Sequence, residues 1–355
     1  MPYGTLTTLD TLASTFQTVA EFGEDRLWEQ SIQPMLDAHN GIMNDMFDDF
    51  CERTTDKQRR YGTTDQMTMT DTDEFGRPDA QKVAPGAIAG FPLRSYQGTI
   101  QWTRKYFQNA SVAEFAGQVV AIRDADIQRV INEIKRALFN PLNYTFNDYL
   151  VDRMSQIPLG VKALLNADSA GIPPGPNGET FDGTTHTHYL GTAALVDANL
   201  IAAFETVAEH YAAGEVAIYI NRAQETAVRG LASFTKLEQM SIIPSDNTVR
   251  VLAPRLQPIA LYNRQIGFFN GAEVWVKPWV PASYIVIMIR NQPKPLVIRT
   301  RSASSYNLVL VADDEKYPLR AKTFEREFGV GVWNRMAAAV LFVTSGTYSA
   351  PTIPN

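Results

Sequence analysis

The chain has 355 residues, 45% hydrophobic and 20% charged, with a formal net charge of −6 at neutral pH. That is enough apolar material for a sizeable core in about two subdomains, and 20 prolines and 22 glycines are too ordinary for a disordered chain. A single cysteine, Cys51, excludes an internal disulfide framework, and its acidic neighbours Asp48, Asp49 and Glu52 discourage thiolate formation.

Residues 1–20 hold no Lys or Arg and no unbroken apolar stretch, so no secretory signal is expected. Apolar runs such as Tyr284–Ile289 are too short to span a bilayer, so the chain is expected to be made in a cytoplasm with no membrane partner. The charge is uneven. Residues 1–56 carry eleven acids against Arg26 and Arg53, a net of −9, which leaves +3 for the remainder. Such an arm repels nucleic acid and attracts basic partners, or is simply a solvated helix face.

Thr5–Thr18 has no strong pattern and reads as an extended arm. Leu27–Phe50 has helical apolar spacing (Trp28, Ile32, Leu36, Met43, Phe47, Phe50), but Pro34 and Asn40-Gly41 predict one or two short helices. Thr54–Phe107 then reads as one long polar hairpin. Arg59–Asp73 goes out, Phe75-Gly76-Arg77-Pro78-Asp79 turns, and Phe91–Phe107 returns with Tyr96, Gly98, Ile100 and Trp102 on one face. A two-stranded ribbon is marginal alone in water, so this projection is expected to lie on another copy of the chain.

Ser111-Val112-Ala113-Glu114 forms a capping box, and the apolar stripe from Val112 through Phe115, Val119, Val130 and Ile134 to Leu138 predicts a helix stopped by Asn140-Pro141. At roughly 1.5 Å per residue it is about 40 Å long, suited to be the spine of a flat molecule. The Gly/Pro/Thr-rich stretch Asn166–Thr187 predicts a long loop. A helix over Asp197–Ala213, a strand over Val216–Ile220 and a helix over Arg222–Leu231 follow, then strands at Val249–Leu252, Ala272–Val276 and Tyr284–Ile289. Strands over Leu296–Thr300, Leu308–Ala312, Thr323–Trp333 and Ala338–Val343 complete the chain.

No catalytic constellation emerges. His186 and His188 have a spacing that metals use, with Asp182 as a third candidate, yet no Cys or further His lies nearby in sequence, so no metal site is assigned. His210 near a helix end reads as a cation on the helix dipole. Gly171–Gly178 fails the phosphate-loop pattern, and Gly329-Val330-Gly331 reads as close packing within a strand. The carboxylate pairs Asp48/Asp49 and Asp313/Asp314 lack an apolar pocket, and Lys57, Arg59, Arg60 and Tyr61 make only a small basic patch.

The order of these elements resembles the major capsid proteins of tailed bacteriophages, the Hong Kong 97-like fold. Two stretches carry the likeness: Asp313–Val343, a charged ribbon that turns at Asn334-Arg335 and returns as an Ala/Val-rich strand, and Glu215–Leu231. The resemblance implies an α+β chain with an N-arm (1–53), an extended β-hairpin loop (54–109), a peripheral domain (110–158 and 285–345) around a spine helix (111–139), an axial domain (159–284) and a C-terminal tail (346–355). It further implies a structural subunit, not an enzyme, without cofactors, in a virion assembled in the host cytoplasm. Its partners would be itself in pentamers and hexamers, a portal protein, a decoration protein, and packaged double-stranded DNA by proximity only. Because the arm follows Met1 directly, a separate scaffolding protein is expected. Expected inter-subunit contacts are Phe75, Gly76, Arg77, Tyr96, Ile100 and Trp102, and expected scaffold or arm contacts are Asp45, Asp48 and Asp49. An encapsulin-like compartment and an α/β enzyme with a site at His186/His188 are the alternatives.

Overall fold

The structure is a computed structural model that describes residues 18–60, 67–72, 74, 76, 80–82, 86–149, 156–211, 214–237, 241–245, 248–252, 263–291, 293–302 and 306–354. Three long helices stand out: α1 (Gln33–Phe50), α2 (Val112–Phe139) and α3 (Asp197–Ala208). The strands of the first half are β1 (Cys51–Thr54), β2 (Gln58–Arg60), β3 (Ile88–Gly90), β4 (Arg94–Thr103), β5 (Tyr144–Tyr149), β6 (Gln156–Val161) and β7 (Tyr189–Thr192). Next come β8 (Val216–Ile220), β9 (Phe234–Lys236), β10 (Ser241–Ser245), β11 (Thr248–Leu252), β12 (Arg264–Phe269) and β13 (Ala272–Val276). The last are β14 (Tyr284–Ile289), β15 (Leu296–Arg299), β16 (Val309–Lys316), β17 (Leu319–Val332) and β18 (Ala338–Val343).

A seven-stranded mixed sheet, β7-β18-β14-β8-β13-β12-β9, forms the centre. All six residues of β14 are buried because both faces of the sheet are covered. Tyr284, Val286 and Met288 meet Met43, Phe47 and Phe50 of α1 and Val130, Ile134 and Leu138 of α2. Ile285, Ile287 and Ile289 pack toward Leu200, Ala203 and Val207 of α3 on the opposite face. Each such side chain contributes about 1.5–3 kcal/mol by leaving water. β14 and β18 were assigned to the peripheral part of the chain, yet they are hydrogen-bonded into the same sheet as β8 and β13. The expected division at 284/285 therefore cuts through a continuous sheet.

The second sheet is built on β17. Its last four residues pair with β15, which in turn runs parallel to β1. Its first ten residues pair on one side with β4 and, over seven, on the other with β16. Here the sequence expectation fails. The returning half of the hairpin, β4, is not matched with the outgoing half but with β17, some 220 residues away. Among the described residues the base of the loop is closed by β2 and β3, which pair over three residues just ahead of the expected returning half. The physical reason is burial: the alternate face of β4 carries Ile100 and Trp102, and they gain more against Val112, Phe115 and Trp28 than on an isolated ribbon.

α2 runs over 28 residues with the expected capping box. The Ser111 hydroxyl accepts from the Glu114 amide and the Glu114 carboxylate accepts from the Ser111 amide. α1 corrects the expected break. Helical structure continues from Glu24 through a π-type turn at Trp28–Ile32 into α1, with Pro34 in the first turn, where a missing amide costs little. Asn40 does not interrupt it, because its buried side chain serves as a partner for the Leu308 backbone, accepting from the amide at 2.8 Å and donating to the carbonyl at 3.2 Å. The C-terminal tail lies back on α2: Tyr284 donates to the Ser349 carbonyl at 2.6 Å, and Arg136 and Asn132 donate to that of Pro354. Among the described residues no helix is long and apolar enough to cross a membrane.

Candidate functional site

The expected contact residues separate into three groups. Phe75 and Arg77 lie outside the described residues, and Gly76 is exposed. Ile100 and Trp102 correct the expectation, since they sit at 7% and 4% exposure inside the chain's own core, with the Trp102 ring edge-on to Phe115 at 5.0 Å. Tyr96 is half-buried between Phe328 (5.1 Å between rings) and the Arg129 guanidinium (4.1 Å). These three residues hold β4 to its own chain.

Other apolar groups face outward. Met67 and Met69 are exposed in a segment whose Thr68 backbone is gripped at both ends by the Gln81 amide, 2.8 Å from the amide nitrogen and 2.7 Å from the carbonyl. Val309, Leu310 and Val311 are exposed on β16, and Tyr317 and Leu319 lie at the adjoining turn. Among the described residues β16 pairs only with β17, so its outer edge is open. An open apolar edge is a template for another chain unless charge protects it, and here the protection begins only at Asp313-Asp314-Glu315.

The acidic arm is partly neutralised by the chain itself. Glu24 pairs with Arg320 and Lys322 on β17, and Asp48 accepts two bonds of 2.9 Å from Arg53 at the surface. The side chains of Asp45 and Asp49 lie outside the described residues. Asp313 is an ion-pair partner rather than an acid: burial would raise its pKa, but Lys322 and Arg320 hold it below the ordinary carboxylate range. Gly329 matches its sequence reading, because a Cβ there would collide with the Pro92 carbonyl.

Cys51 is buried, and desolvation pushes its pKa up to about 12, with Lys294 opposing and Asp48 adding to the rise. Burial outweighs the acidic neighbours that the sequence suggested. The native thiol is therefore expected to stay unlabelled by a maleimide at pH 8 and to react within minutes once denaturant is added. A thiol count with and without denaturant checks this, and rapid native labelling would refute it.

The histidines give an arrangement that spacing did not reveal. His186 and His188 both precede β7, and His210 sits in the turn after α3, fixed by its amide bond to the Val207 carbonyl. Their three Nε2 atoms form a near-equilateral triangle: 3.2 Å from His186 to His188, 3.1 Å from His186 to His210 and 3.2 Å from His188 to His210. Phe181 covers the His186 and His210 rings. All three imidazoles are held neutral. Burial lowers the His186 pKa, burial and then His210 lower that of His188 well below its usual value, and burial with His186 takes His210 to about 3. His210 is thus no cation on the α3 dipole, and that reading is corrected. Asp182 is not the third member either. It is exposed and bonds to Thr184 and Thr185 within its own turn. His210 was missed because it lies 22 residues beyond His188, on the far side of a helix.

No family model and no curated protein matches the sequence. Solved structures do. One from Mycobacterium phage Patience superposes with a TM-score of 0.65 at 20% identity, covering 99% of this chain and 96% of that one. The chain shares the fold of that phage structure. The capsid of a native GTA particle matches with a TM-score of 0.47 at 13% identity, covering 86% of this chain and 91% of that one. The holo-SrpI encapsulin complex of Synechococcus elongatus matches with a TM-score of 0.42 at 11% identity, covering 85% and 88%. These two looser fits add nothing to the fold assignment, which rests on the first.

Proposed function

We propose that this chain is the structural subunit of an icosahedral phage head, assembling into pentamers and hexamers around packaged double-stranded DNA. The observation that carries the reading is the shared fold with the Patience structure over nearly the whole of both chains. The open apolar edge of β16 and the exposed Met67 and Met69 support it, since both gain stability only when a neighbour covers them. In this reading the part of the loop around Phe75, Gly76 and Arg77 reaches an adjacent subunit, while β4 stays on its own β17. A scaffolding protein meets Asp45, Asp48 and Asp49, and a portal and a decoration protein complete the head. α1 belongs to the N-arm, α2 is the spine of the peripheral domain and α3 belongs to the axial domain.

Expression alone and with the cognate scaffolding protein, followed by size-exclusion chromatography and electron microscopy, tests this. Closed shells of megadalton mass are expected. A stable single copy at all concentrations would overturn the assembly reading, and particles from infected cells filled with protein cargo in place of DNA would overturn the virion reading.

A further inference from the structure

We infer that His186, His188 and His210 form a binding site for a divalent transition cation, with Zn2+ the best match, which clamps the 166–187 loop to the end of α3. The inference stands on side-chain geometry and is independent of the shell function. Three Nε2 atoms 3.1–3.2 Å apart each lie at a zinc–nitrogen distance of about 2.0–2.1 Å from a common point, with angles of roughly 100° between them, close to tetrahedral.

Hydrogen bonding alone does not account for the triangle. The His188 Nδ1 lies 2.7 Å from the Ala338 carbonyl, so it carries the proton and leaves a lone pair on Nε2. The other two rings can each direct an Nε2 proton at that lone pair, but then their own 3.1 Å contact places two protons face to face. Moving either proton to Nδ1 sets lone pairs against each other instead. A cation at the centre makes all three contacts attractive with neutral rings.

The outer surroundings fit a structural site. The Ala338 carbonyl orients His188 in the way that outer partners orient metal-bound imidazoles. The backbone of His188 is fixed on both sides, its amide to Leu165 and its carbonyl to Val340. The Glu209 Oε1 is 3.5 Å from the His186 Nε2 and 3.9 Å from that of His210, within reach of the fourth position by a small side-chain movement. An all-imidazole set with one carboxylate suits zinc and not the oxygen-seeking Mg2+ or Ca2+. Among the described residues the buried Nδ1 of His210 has no hydrogen-bond partner, so no outer group orients that ring.

The test uses the full-length protein made without a polyhistidine tag, stripped with EDTA and dialysed against Zn2+. Metal analysis is expected to find about one zinc per chain, and Co2+ in its place is expected to give the intense visible absorption of a four-coordinate site. His186→Ala and His210→Ala are each expected to weaken zinc binding by more than about 100-fold, beyond the loss of an outer partner, and Glu209→Gln by less. Wild-type protein that retains no zinc, or zinc retained equally by the triple histidine variant, overturns the site. The Co2+ spectrum of the wild type decides the question should a variant fail to fold. Zinc is also expected to slow protease cleavage between Gly171 and Gly178, and bound zinc with unchanged cleavage overturns the clamp.

Discussion

Arg326→Ala is expected to destabilise the chain by about 3–5 kcal/mol, the cost of stranding a buried charge. Arg326 is 1% exposed, and its guanidinium is fully engaged. Nε donates to both Asp126 oxygens at 2.8 and 3.0 Å, and one terminal nitrogen reaches Asp126 at 2.8 Å and the Asn40 carbonyl oxygen at 3.0 Å. The other donates to the Tyr306 carbonyl. The Asp126 carboxylate also lies 2.7 Å from the His39 Nε2. One residue thus joins α1, α2, β17 and the chain entering β16. Removing it leaves Asp126 buried with only His39 beside it and strips Asn40 and Tyr306 of a donor. The double variant Arg326→Met, Asp126→Leu is expected to recover a large part of the loss, because no uncompensated charge remains. Denaturant midpoints of the two single variants and the double variant measure this. A single-variant loss below about 1 kcal/mol would place the network among ordinary surface pairs and refute the argument.

Gly329→Ala is expected to cost about 3 kcal/mol or more, at the upper end for overpacking, although only one methyl group is added. Gly329 lies where β17 passes from β4 to β15, and its missing side chain is the space filled by the Pro92 carbonyl. The obstacle is backbone, which cannot rotate aside as a flexible side chain would. β17 must then part from the chain at Pro92, where Phe91 and Ala89 pack against Val297. By contrast, an alanine at Gly117 meets nothing within 4 Å and replaces a poor helix former in mid-α2, so Gly117→Ala is expected to be neutral or slightly stabilising. Thermal midpoints of the two variants distinguish packing from backbone entropy. Equal effects at both positions would show that the close approach at Pro92 is unimportant.

Much of the secondary structure was legible because its causes are local. α2 was bounded correctly by a capping box at one end and Asn140-Pro141 at the other, and both signals act within one turn of helix. β14 and β18 could be read from unbroken apolar runs, since a strand covered on both faces has no polar alternate. The failures involve long-range choices. Nothing within Phe91–Phe107 says whether its strand pairs with the preceding segment or with β17; the alternation of side chains is the same in both arrangements. Asn40-Gly41 looked like a break because the helix-breaking tendency of Asn is visible locally, whereas its bonds to Leu308 and Arg326 join residues more than 260 positions apart.

The sequence alone was sufficient to establish a chain without disulfides, a long capped spine helix, a buried Ala/Val-rich terminal strand and the resemblance that suggested a capsid fold. The tertiary structure decided which strands are neighbours, which aromatic residues are buried in the chain's own core, and that His210 completes a triangle with His186 and His188. Periodicity and capping arise from the geometry of a few consecutive residues and so are written locally. Strand partners and convergent side chains depend on which surfaces lose most water when the whole chain closes, and no short stretch of sequence contains that comparison.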